Sequence, residues 1–199
     1  MRVGVLAAQG AFAEHERAFA DVGAETFEIR QLRDLARPFD ALVLPGGEST
    51  TQGKLLKDLG LFAPLKERIE AGLPVFATCA GLILLAERLM DDPTVWFGVL
   101  PVTVQRNAYG RQLGSFAAMG ADDGAADAGT DDRVPMAFIR APAIVGVAPD
   151  VEVLSTHGGR PTAIRWRNVW AFAGHPELTD DRSIFAAFCR HEPRPAGQA

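Results

Sequence analysis

Short apolar runs alternate with helical patterns along the first half of the chain. Apolar or alternating runs predict strands at 3–7, 25–29, 41–44 and 74–77. Apolar residues recur at helical spacing at 15–22, 55–61, 65–72 and 82–89. Strands separated by helices are typical of a parallel sheet covered by helices on both faces. We therefore predict an α/β fold of three layers around a mostly parallel central sheet.

The second half of the chain contains strand patterns with little helix between them. Strands are predicted at 99–104, 137–140, 151–154 and 162–166, and a last helix at 182–190. We expect these strands to join the sheet as mixed or antiparallel additions. Residues 120–132 are rich in Ala, Gly and Asp, which predicts an exposed loop. One domain is predicted over 1–191, followed by a frayed tail at 192–199.

Composition narrows the class of protein. Of the 199 residues, 48% are hydrophobic and 23% charged, which is typical of one globular domain with a substantial core. A net charge of -5 without a Lys/Arg block argues against nucleic-acid and anionic-membrane partners. No apolar run reaches the roughly 18 residues of a membrane span. The two cysteines, Cys79 and Cys189, predict neither a disulfide framework nor a metal site. We expect a cytoplasmic protein without a cofactor.

Cys79 is the first candidate for chemistry. It follows a predicted buried strand, precedes a predicted helix, and has the small neighbours Ala77, Ala80 and Gly81. This composition is typical of a nucleophile elbow, a tight strand-to-helix turn that presents one side chain above a sheet. A helix N-terminus favours the reactive thiolate, and the N–H of Ala80 would face the oxyanion of a tetrahedral intermediate. The alternative is a small buried hydrophobe, and the local pattern favours neither. Cys189, in an amphipathic helix, indicates packing.

A thiol nucleophile usually needs an imidazole as its base. Three of the histidines are weak candidates from their sequence context. His15 lies between two glutamates in an early helix and is predicted to be a solvated or rim residue. His157 is in a turn between strands, which indicates a surface position, and His191 is in the tail. None of these patterns points to catalysis.

His175 has a different context. Pro176 follows it and favours an extended backbone, so Glu177, two residues on, can return to the same side and hold the imidazole tautomer. The order suits a Cys-His-Glu triad of Cys79, His175 and Glu177. Without Cys79, residues 174–177 would indicate only a polar turn.

A glycine turn follows the third predicted strand, with the sequence PGGEST at 45–50. Two glycines permit unusual φ angles and leave backbone N–H groups uncovered, so the turn could bind phosphate or supply an oxyanion hole. It lacks the Lys of a P-loop, which argues against nucleotide phosphate. A donor from Gly47, facing Cys79 across neighbouring strand ends, fits better. The alternative is a tight connection in which Ser49 or Thr50 caps a helix.

These motifs resemble a known family. LPGGESTT at 44–51, TCAGLILLA at 78–86 and HPELT at 175–179 are similar to class I, triad-type glutamine amidotransferases. Within that class, the chain resembles the glutaminase subunits of pyridoxal 5'-phosphate synthases. The narrower similarity is carried by GVL at 4–6, QGA at 9–11, EH at 14–15, RNAYGRQ at 106–112, SF at 115–116 and FIRAP at 138–142. The resemblance runs from about residue 3 to residue 188.

The resemblance implies a flavodoxin-like fold and hydrolysis of L-glutamine, with ammonia passed to a synthase subunit in a hetero-oligomer. It also implies the roles of particular residues. Cys79, His175 and Glu177 would form the triad, and Gly47 and Ala80 the oxyanion hole. Glutamine would be bound by Gly47, Glu48, Ser49, Arg106, Ile139 and Arg140. The charges are suitable, because free glutamine carries an α-carboxylate and an α-ammonium group that a specific site must match.

The chain departs from the family pattern in three places. Ala117 stands where the family usually has Glu, Gly174 stands where it has a bulky aromatic residue, and the loop at 120–132 is longer. None of these changes removes a triad residue. Three other functions stay open: a glutaminase serving a different synthase, a cysteine hydrolase acting on another amide, and a non-catalytic regulatory subunit. The segment 9–11, at the end of the first strand, is a candidate for part of the partner interface.

Overall fold

A mostly parallel sheet lies at the centre of the fold. The structure, a computed structural model, describes residues 1–90, 92–106, 108, 116–118 and 134–191. Within these residues the central sheet has seven strands. In spatial order they are β10 (Glu152–His157), β11 (Arg160–Trp166), β12 (Val169–Phe172), β4 (Val75–Thr78), β3 (Ala41–Leu44), β1 (Arg2–Leu6) and β2 (Glu25–Ile29). The strands from β12 to β2 are parallel, whereas β10 and β11 are antiparallel additions at one edge.

Helices cover both faces of this sheet. They are α1 (Phe12–Asp21), α2 (Ser49–Asp58), α3 (Phe62–Glu70), α4 (Ala80–Leu85) and α5 (Ser183–Arg190), with short 3-10 helices at Leu32–Ala36 and Pro176–Leu178. On one face, Phe19 of α1 and Phe185 and Phe188 of α5 pack around Phe76 of β4. Helix α2 contacts both α3 and α4, and α4 also contacts β3, β4 and β12. The predicted three-layer α/β fold is confirmed.

The inner strands are buried on both faces. All four residues of β3, of β4 and of β12 are buried, which explains why these strands appear in the sequence as nearly continuous apolar runs. The predictions at 25–29 and 41–44 match β2 and β3 at both ends.

No helix in the described ranges is long and apolar enough to cross a bilayer. The predicted single domain over 1–191 stays a prediction, and the predicted loop at 120–132 and tail at 192–199 lie outside the described residues.

Two expectations about secondary structure were wrong. The helix predicted over 82–89 ends at Leu85, and β5 (Ala86–Leu89) follows it. This strand pairs with β6 (Leu100–Gln105), so tertiary pairing overrides the helical spacing of the leucines over 82–89. The strands predicted at 99–104 and 137–140 do not join the central sheet. The first is β6, which also pairs with β9 (Ala143–Val147), and the second is β8 (Met136–Phe138), which pairs with β7 (Phe116–Ala118). The strands at 151–154 and 162–166 are antiparallel additions, as expected.

Helix α4 approaches β3 closely at Gly81. A Cβ at this position would overlap the backbone carbonyl oxygen of Leu44, which cannot move without distorting β3. We predict that Gly81→Ala lowers the free energy of unfolding by about 1–3 kcal/mol, the usual cost of overpacking. Urea denaturation followed by circular dichroism measures this change.

Gly146 of β9 provides the matched control. A Cβ there would lie 3.5 Å from the Cβ of Thr103, an ordinary van der Waals distance. Gly146→Ala should change the free energy of unfolding by less than about 0.5 kcal/mol. Equal effects of the two substitutions would contradict the close packing of α4 on β3.

Candidate active site

Three neighbouring parallel strands end beside one another, and each leads into a candidate functional residue. The glycine turn follows β3, Cys79 follows β4, and His175 lies three residues beyond the end of β12. Because β12, β4 and β3 are adjacent and parallel, their carboxyl ends lie at the same edge of the sheet. This edge is where parallel α/β sheets usually bind ligands. Residues far apart in sequence are thereby gathered in one place.

Cys79 occupies a strained turn between β4 and α4. Its φ of 46° and ψ of −98° are unusual for a residue with a side chain, and such backbone geometry typically costs about 1–3 kcal/mol. The turn is held because the Cys79 N–H donates to the carbonyl oxygen of Phe172, at 2.8 Å, and the Cys79 carbonyl accepts from the N–H of Ile83. Cys79 is a free cysteine and is 7% exposed. This is the geometry of a nucleophile elbow.

His175 and Glu177 form a buried pair beside Cys79. Nδ1 of His175 lies 2.7 Å from Oε1 of Glu177, and the two residues are 7% and 4% exposed. Backbone bonds in both directions between His175 and Ala137 hold the histidine in place. Glu177 returns toward the ring because Pro176 begins a turn of 3-10 helix. The carboxylate therefore fixes the proton of the imidazole on Nδ1 and leaves Nε2 for chemistry.

The electrostatics of this pair favour charged side chains. Burial lowers the pKa of His175, but hydrogen bonds to Cys79 and Glu177 and their negative charges outweigh burial and raise it from 6.5 to about 10. Burial likewise raises the pKa of Glu177, but the charge of His15 and the hydrogen bond and charge of His175 lower it below its usual value. His175 is thus an imidazolium at neutral pH. A cation beside a cysteine favours the thiolate.

A cavity of about 330 Å³ opens above Cys79 and His175. It is large enough for a small polar substrate. Most of the predicted site residues line it: Gly47, Glu48, Ser49, Cys79, Arg106, Ile139, Arg140 and His175. Glu177 and Ala80 are not among the lining residues and are buried, at 4% and 0% exposed. Among the described residues, no group of three or more His, Cys, Asp or Glu could hold a metal ion.

The predicted charged groups of the cavity contact other side chains in this structure. Nη2 of Arg140 lies 3.2 Å from Oε1 of Glu48, and both side chains are largely exposed. Arg106 donates to Oδ2 of Asp92 at 3.1 Å and to Oγ1 of Thr50 at 3.3 Å. Arg106 and Arg140 thus bring positive charge to the cavity and Glu48 brings negative charge, so both charges of a free amino acid can find a partner.

The glycine turn is tied to the segment at the end of β1. The N–H of Glu48 donates to Oε1 of Gln9 at 2.8 Å, and Gln52 donates to the carbonyl oxygens of Gln9 and Pro45. Gly47 has a φ of 154°, which a side chain rarely adopts. The alternative of a capped helix is wrong in detail, because the N-cap of α2 is Glu48 and no side chain caps it. The position of the turn beside Cys79 is the one expected.

The prediction for His15 was wrong. His15 is fully buried rather than a solvated or rim residue, and its Nε2 lies 3.5 Å from Oε2 of Glu177. The sequence carried a signal for this, because His15, Ala18 and Phe19 have the spacing of one helix face and all three are buried. The prediction of a solvated residue gave more weight to the two flanking glutamates than to this spacing. Gln9, Gly10 and Glu14 also line the cavity without having been predicted as site residues.

The departures from the family pattern are partly explained by the structure. Gly174 has no room for a side chain, because a Cβ there would lie 2.8 Å from Cγ of Met136 and 2.9 Å from the carbonyl oxygen of Ala137. Met136, which is 1% exposed, occupies that space. The backbone of Ala117 pairs with that of Ala137 in β7 and β8. Of the motif at 106–112, only Arg106 and Ala108 are described residues.

The raised pKa of His175 predicts how stability depends on pH. Because the pKa is about 10 in the folded protein and 6.5 ordinarily, the stabilisation from this proton is complete below pH 6.5 and is lost as pH rises toward 10. Urea unfolding of wild type and His175→Asn between pH 6 and 10 should show their difference in stability shrinking with pH. A constant difference would contradict the assignment.

Comparisons with known proteins identify the family of this chain. The SNO glutamine amidotransferase family matches residues 5–192. A pyridoxal 5'-phosphate synthase subunit PdxT of Desulfitobacterium hafniense (strain DSM 10664 / DCB-2) is 53% identical over 188 residues, covering 94% of this chain and 92% of the relative. The subunit of that name from Bifidobacterium longum (strain NCC 2705) is 50% identical over 188 residues, covering 93% and 97%.

Solved structures show the same architecture. A crystal structure of a glutamine amidotransferase has a TM-score of 0.82 and 39% identity, covering 94% of this chain and 96% of the other. A glutamine amidotransferase of Thermotoga maritima, at 15% identity and a TM-score of 0.59 with 96% and 90% covered, shares the fold. The resemblance inferred from the motifs is confirmed at the level of the family. The chain belongs to the SNO glutamine amidotransferase family.

Proposed function

We propose that this chain hydrolyses L-glutamine to L-glutamate and ammonia through a triad of Cys79, His175 and Glu177. The observation that carries the proposal is that a strained cysteine and a histidine line the same cavity, and that a buried carboxylate holds Nδ1 of the histidine. This arrangement supports attack by a thiolate on a carboxamide. The cavity supplies charges of both signs for the amino-acid end of the substrate.

The first half of the reaction forms a thioester. The Cys79 thiolate attacks the side-chain carbonyl carbon of glutamine and produces a tetrahedral oxyanion. Nε2 of His175 then gives its proton to the departing nitrogen as the carbon–nitrogen bond breaks. Ammonia leaves, and the γ-glutamyl group stays on the sulfur. Protonation is efficient because Glu177 orients the ring throughout.

The second half releases glutamate. The neutral His175 takes a proton from water, which attacks the thioester carbonyl carbon. The carbon–sulfur bond breaks, and the thiolate and imidazolium are restored. We assign the oxyanion donors to the N–H groups of Gly47 and Ala80; each donor is expected to contribute on the order of 10²–10³ in rate, as in other oxyanion holes.

Glutamine binding is assigned to the charged rim of the cavity. Arg106 or Arg140 would pair with the α-carboxylate and Glu48 with the α-ammonium group, while Gly47, Ser49 and Ile139 line the remaining wall. The Arg140–Glu48 ion pair is exposed and therefore weak, so the substrate can replace it at little cost. Specificity for free glutamine would follow from matching both charges at once.

The ammonia is proposed to serve pyridoxal 5'-phosphate synthesis in a complex with a synthase subunit. Relatives named as subunits of pyridoxal 5'-phosphate synthase align with nearly the whole of this chain at 50–53% identity. The segment Gln9, Gly10 and Ala11 is the proposed part of the interface, since it borders the cavity and is tied to the glycine turn. A cytoplasmic location is proposed because the reaction requires Cys79 as a free thiol.

The nucleophile is tested by a pair of cysteine substitutions. Cys79→Ala should abolish glutamate release and covalent labelling by a glutamine-analogue alkylator, since it removes the attacking sulfur. Cys189→Ala should retain both, since Cys189 lies in α5 away from the cavity. A coupled glutamate assay and mass spectrometry of the labelled peptide measure the two effects. Glutaminase activity in Cys79→Ala would refute the mechanism.

The partner is tested by ammonia transfer. With the candidate synthase subunit, glutamine should replace added ammonia in forming pyridoxal 5'-phosphate, and Gln9→Ala should lower the stimulated rate several-fold by removing the acceptor of the Glu48 N–H. Glu70→Ala, on the exposed end of α3, is the control. Stimulation unchanged in Gln9→Ala would remove this segment from the interface. A chain active on glutamine but unable to support this synthesis would serve a different synthase.

A further inference from the structure

A second histidine lies behind the proposed triad, on the far side of Glu177. His15 belongs to α1, and its side chain is completely buried against Thr78 and Phe76 of β4. Nε2 of His15 lies 3.5 Å from Oε2 of Glu177 and 3.3 Å from Oγ1 of Thr78. Oε2 is the carboxylate oxygen that His175 does not use, and it has no hydrogen bond of ordinary length. Glu177 therefore stands between two imidazole rings.

The hydrogen bonds of His15 determine where its protons can be. Nδ1 lies 2.8 Å from the carbonyl oxygen of Ala11, which can only accept, so Nδ1 carries a proton. In the neutral ring, Nε2 would then be a lone pair, able to accept from the hydroxyl of Thr78 but repelled by Oε2 of Glu177. In the protonated ring, Nε2 becomes a donor directed at Glu177. Only the protonated ring can therefore donate to Oε2 of Glu177.

We propose that His15 is a positioning residue, a second cationic partner that keeps Glu177 ionised while His175 is neutral. This inference rests on the proposed glutaminase mechanism, in which His175 loses its proton to ammonia once per cycle. At that moment a carboxylate that is only 4% exposed would be left without a counter-charge, and a buried, unpaired charge is costly. With His15 protonated, Glu177 keeps its charge and continues to orient the His175 ring for the second half of the reaction.

The surroundings leave few other sources of charge for this role. The titratable groups that face the two rings are Cys79 and Glu177. Burial raises the pKa of Glu177, but the charges of His15 and His175 lower it below its usual value. Among the remaining charged groups of α1 and of the start of α5, Glu14 borders the active-site cavity, and the others are exposed or lie beside other charges. Glu14 and Arg17 are exposed, Glu16 faces Glu28 and Arg30, and Asp21 pairs with Arg182.

Two substitutions of His15 separate its two nitrogen positions. The amide of His15→Asn reaches the position of Nδ1 and can still bond to Ala11, but it offers nothing to Glu177. The amide of His15→Gln reaches the position of Nε2 and can donate to Glu177, but it carries no charge. Phe19→Leu, one turn further along α1, is the matched control, because it weakens the same packing without touching Glu177.

The kinetic readout is the glutaminase rate as a function of pH. In His15→Asn we expect kcat to fall about tenfold and KM for glutamine to change less than about twofold. The acidic limb of the kcat/KM profile should move up by about one pH unit, because Glu177 protonates more readily without a neighbouring cation. His15→Gln should recover part of kcat while keeping the shifted limb. Phe19→Leu should lower the unfolding temperature and leave the limb in place.

A second readout needs no substrate. The low-field proton resonance of His175 Nδ1–H should persist to low pH in wild type and disappear about one pH unit higher in both His15 variants. The inference would be overturned if the acidic limb of kcat/KM and the His175 Nδ1–H resonance were unchanged in His15→Asn. It would also be overturned if Phe19→Leu shifted them by the same amount. If wild type releases no glutamate from glutamine, the proposed function fails, and the resonance alone decides the role of His15.

Discussion

The burial of Glu177 is the constraint on which the rest of the site depends. A carboxylate at 4% exposure is tolerated only with partners for its charge. Those partners are the rings of His175 and His15, at 2.7 and 3.5 Å from its two oxygens. One comes from the segment after β12 and the other from α1, so the position of α1 on the sheet fixes one side of the carboxylate. The packing of Phe19 against Phe76 holds α1 there. The geometry of the site therefore depends on the packing of the core.

Close backbone approach is the second requirement, and glycines meet it. A Cβ at Gly46 would overlap the ring of His175, and a Cβ at Gly10 would overlap the carbonyl oxygen of Gly46. The glycine turn, the end of β1 and the histidine can stack only because these side chains are missing. The same holds for Gly81, whose helix rests on the carbonyl of Leu44. This layering brings the turn over the triad and leaves a cavity of about 330 Å³ in front of it.

Local patterns predicted the buried parallel strands well and the peripheral strands poorly. The buried parallel strands are apolar on both faces, so they appear in the sequence as continuous apolar runs whose ends are easily located. The prediction failed at Ala86–Leu89 because its buried positions are the first and the fourth, which is helical spacing, whereas pairing with Leu100–Gln105 makes the segment a strand. Of the strands in the two small sheets, only Leu100–Gln105 and Met136–Phe138 were predicted, and a single strand pattern carries no information about which sheet it will join.

The sequence by itself determined the alternation of strands and helices up to Cys79, the elbow at Cys79, the glycine turn and the pairing of His175 with Glu177. Each of these depends on neighbours within a few residues, whose size and backbone preferences act locally. Only the tertiary structure decided that Arg140 meets Glu48 and that His15 is buried behind Glu177. Those contacts join residues far apart in the chain. The segment after β8 brings Arg140 to the turn after β3, and α1, which follows β1, brings His15 to the segment after β12. The sequence around His15 cannot indicate that its partner is Glu177, because that residue lies 162 positions further along the chain.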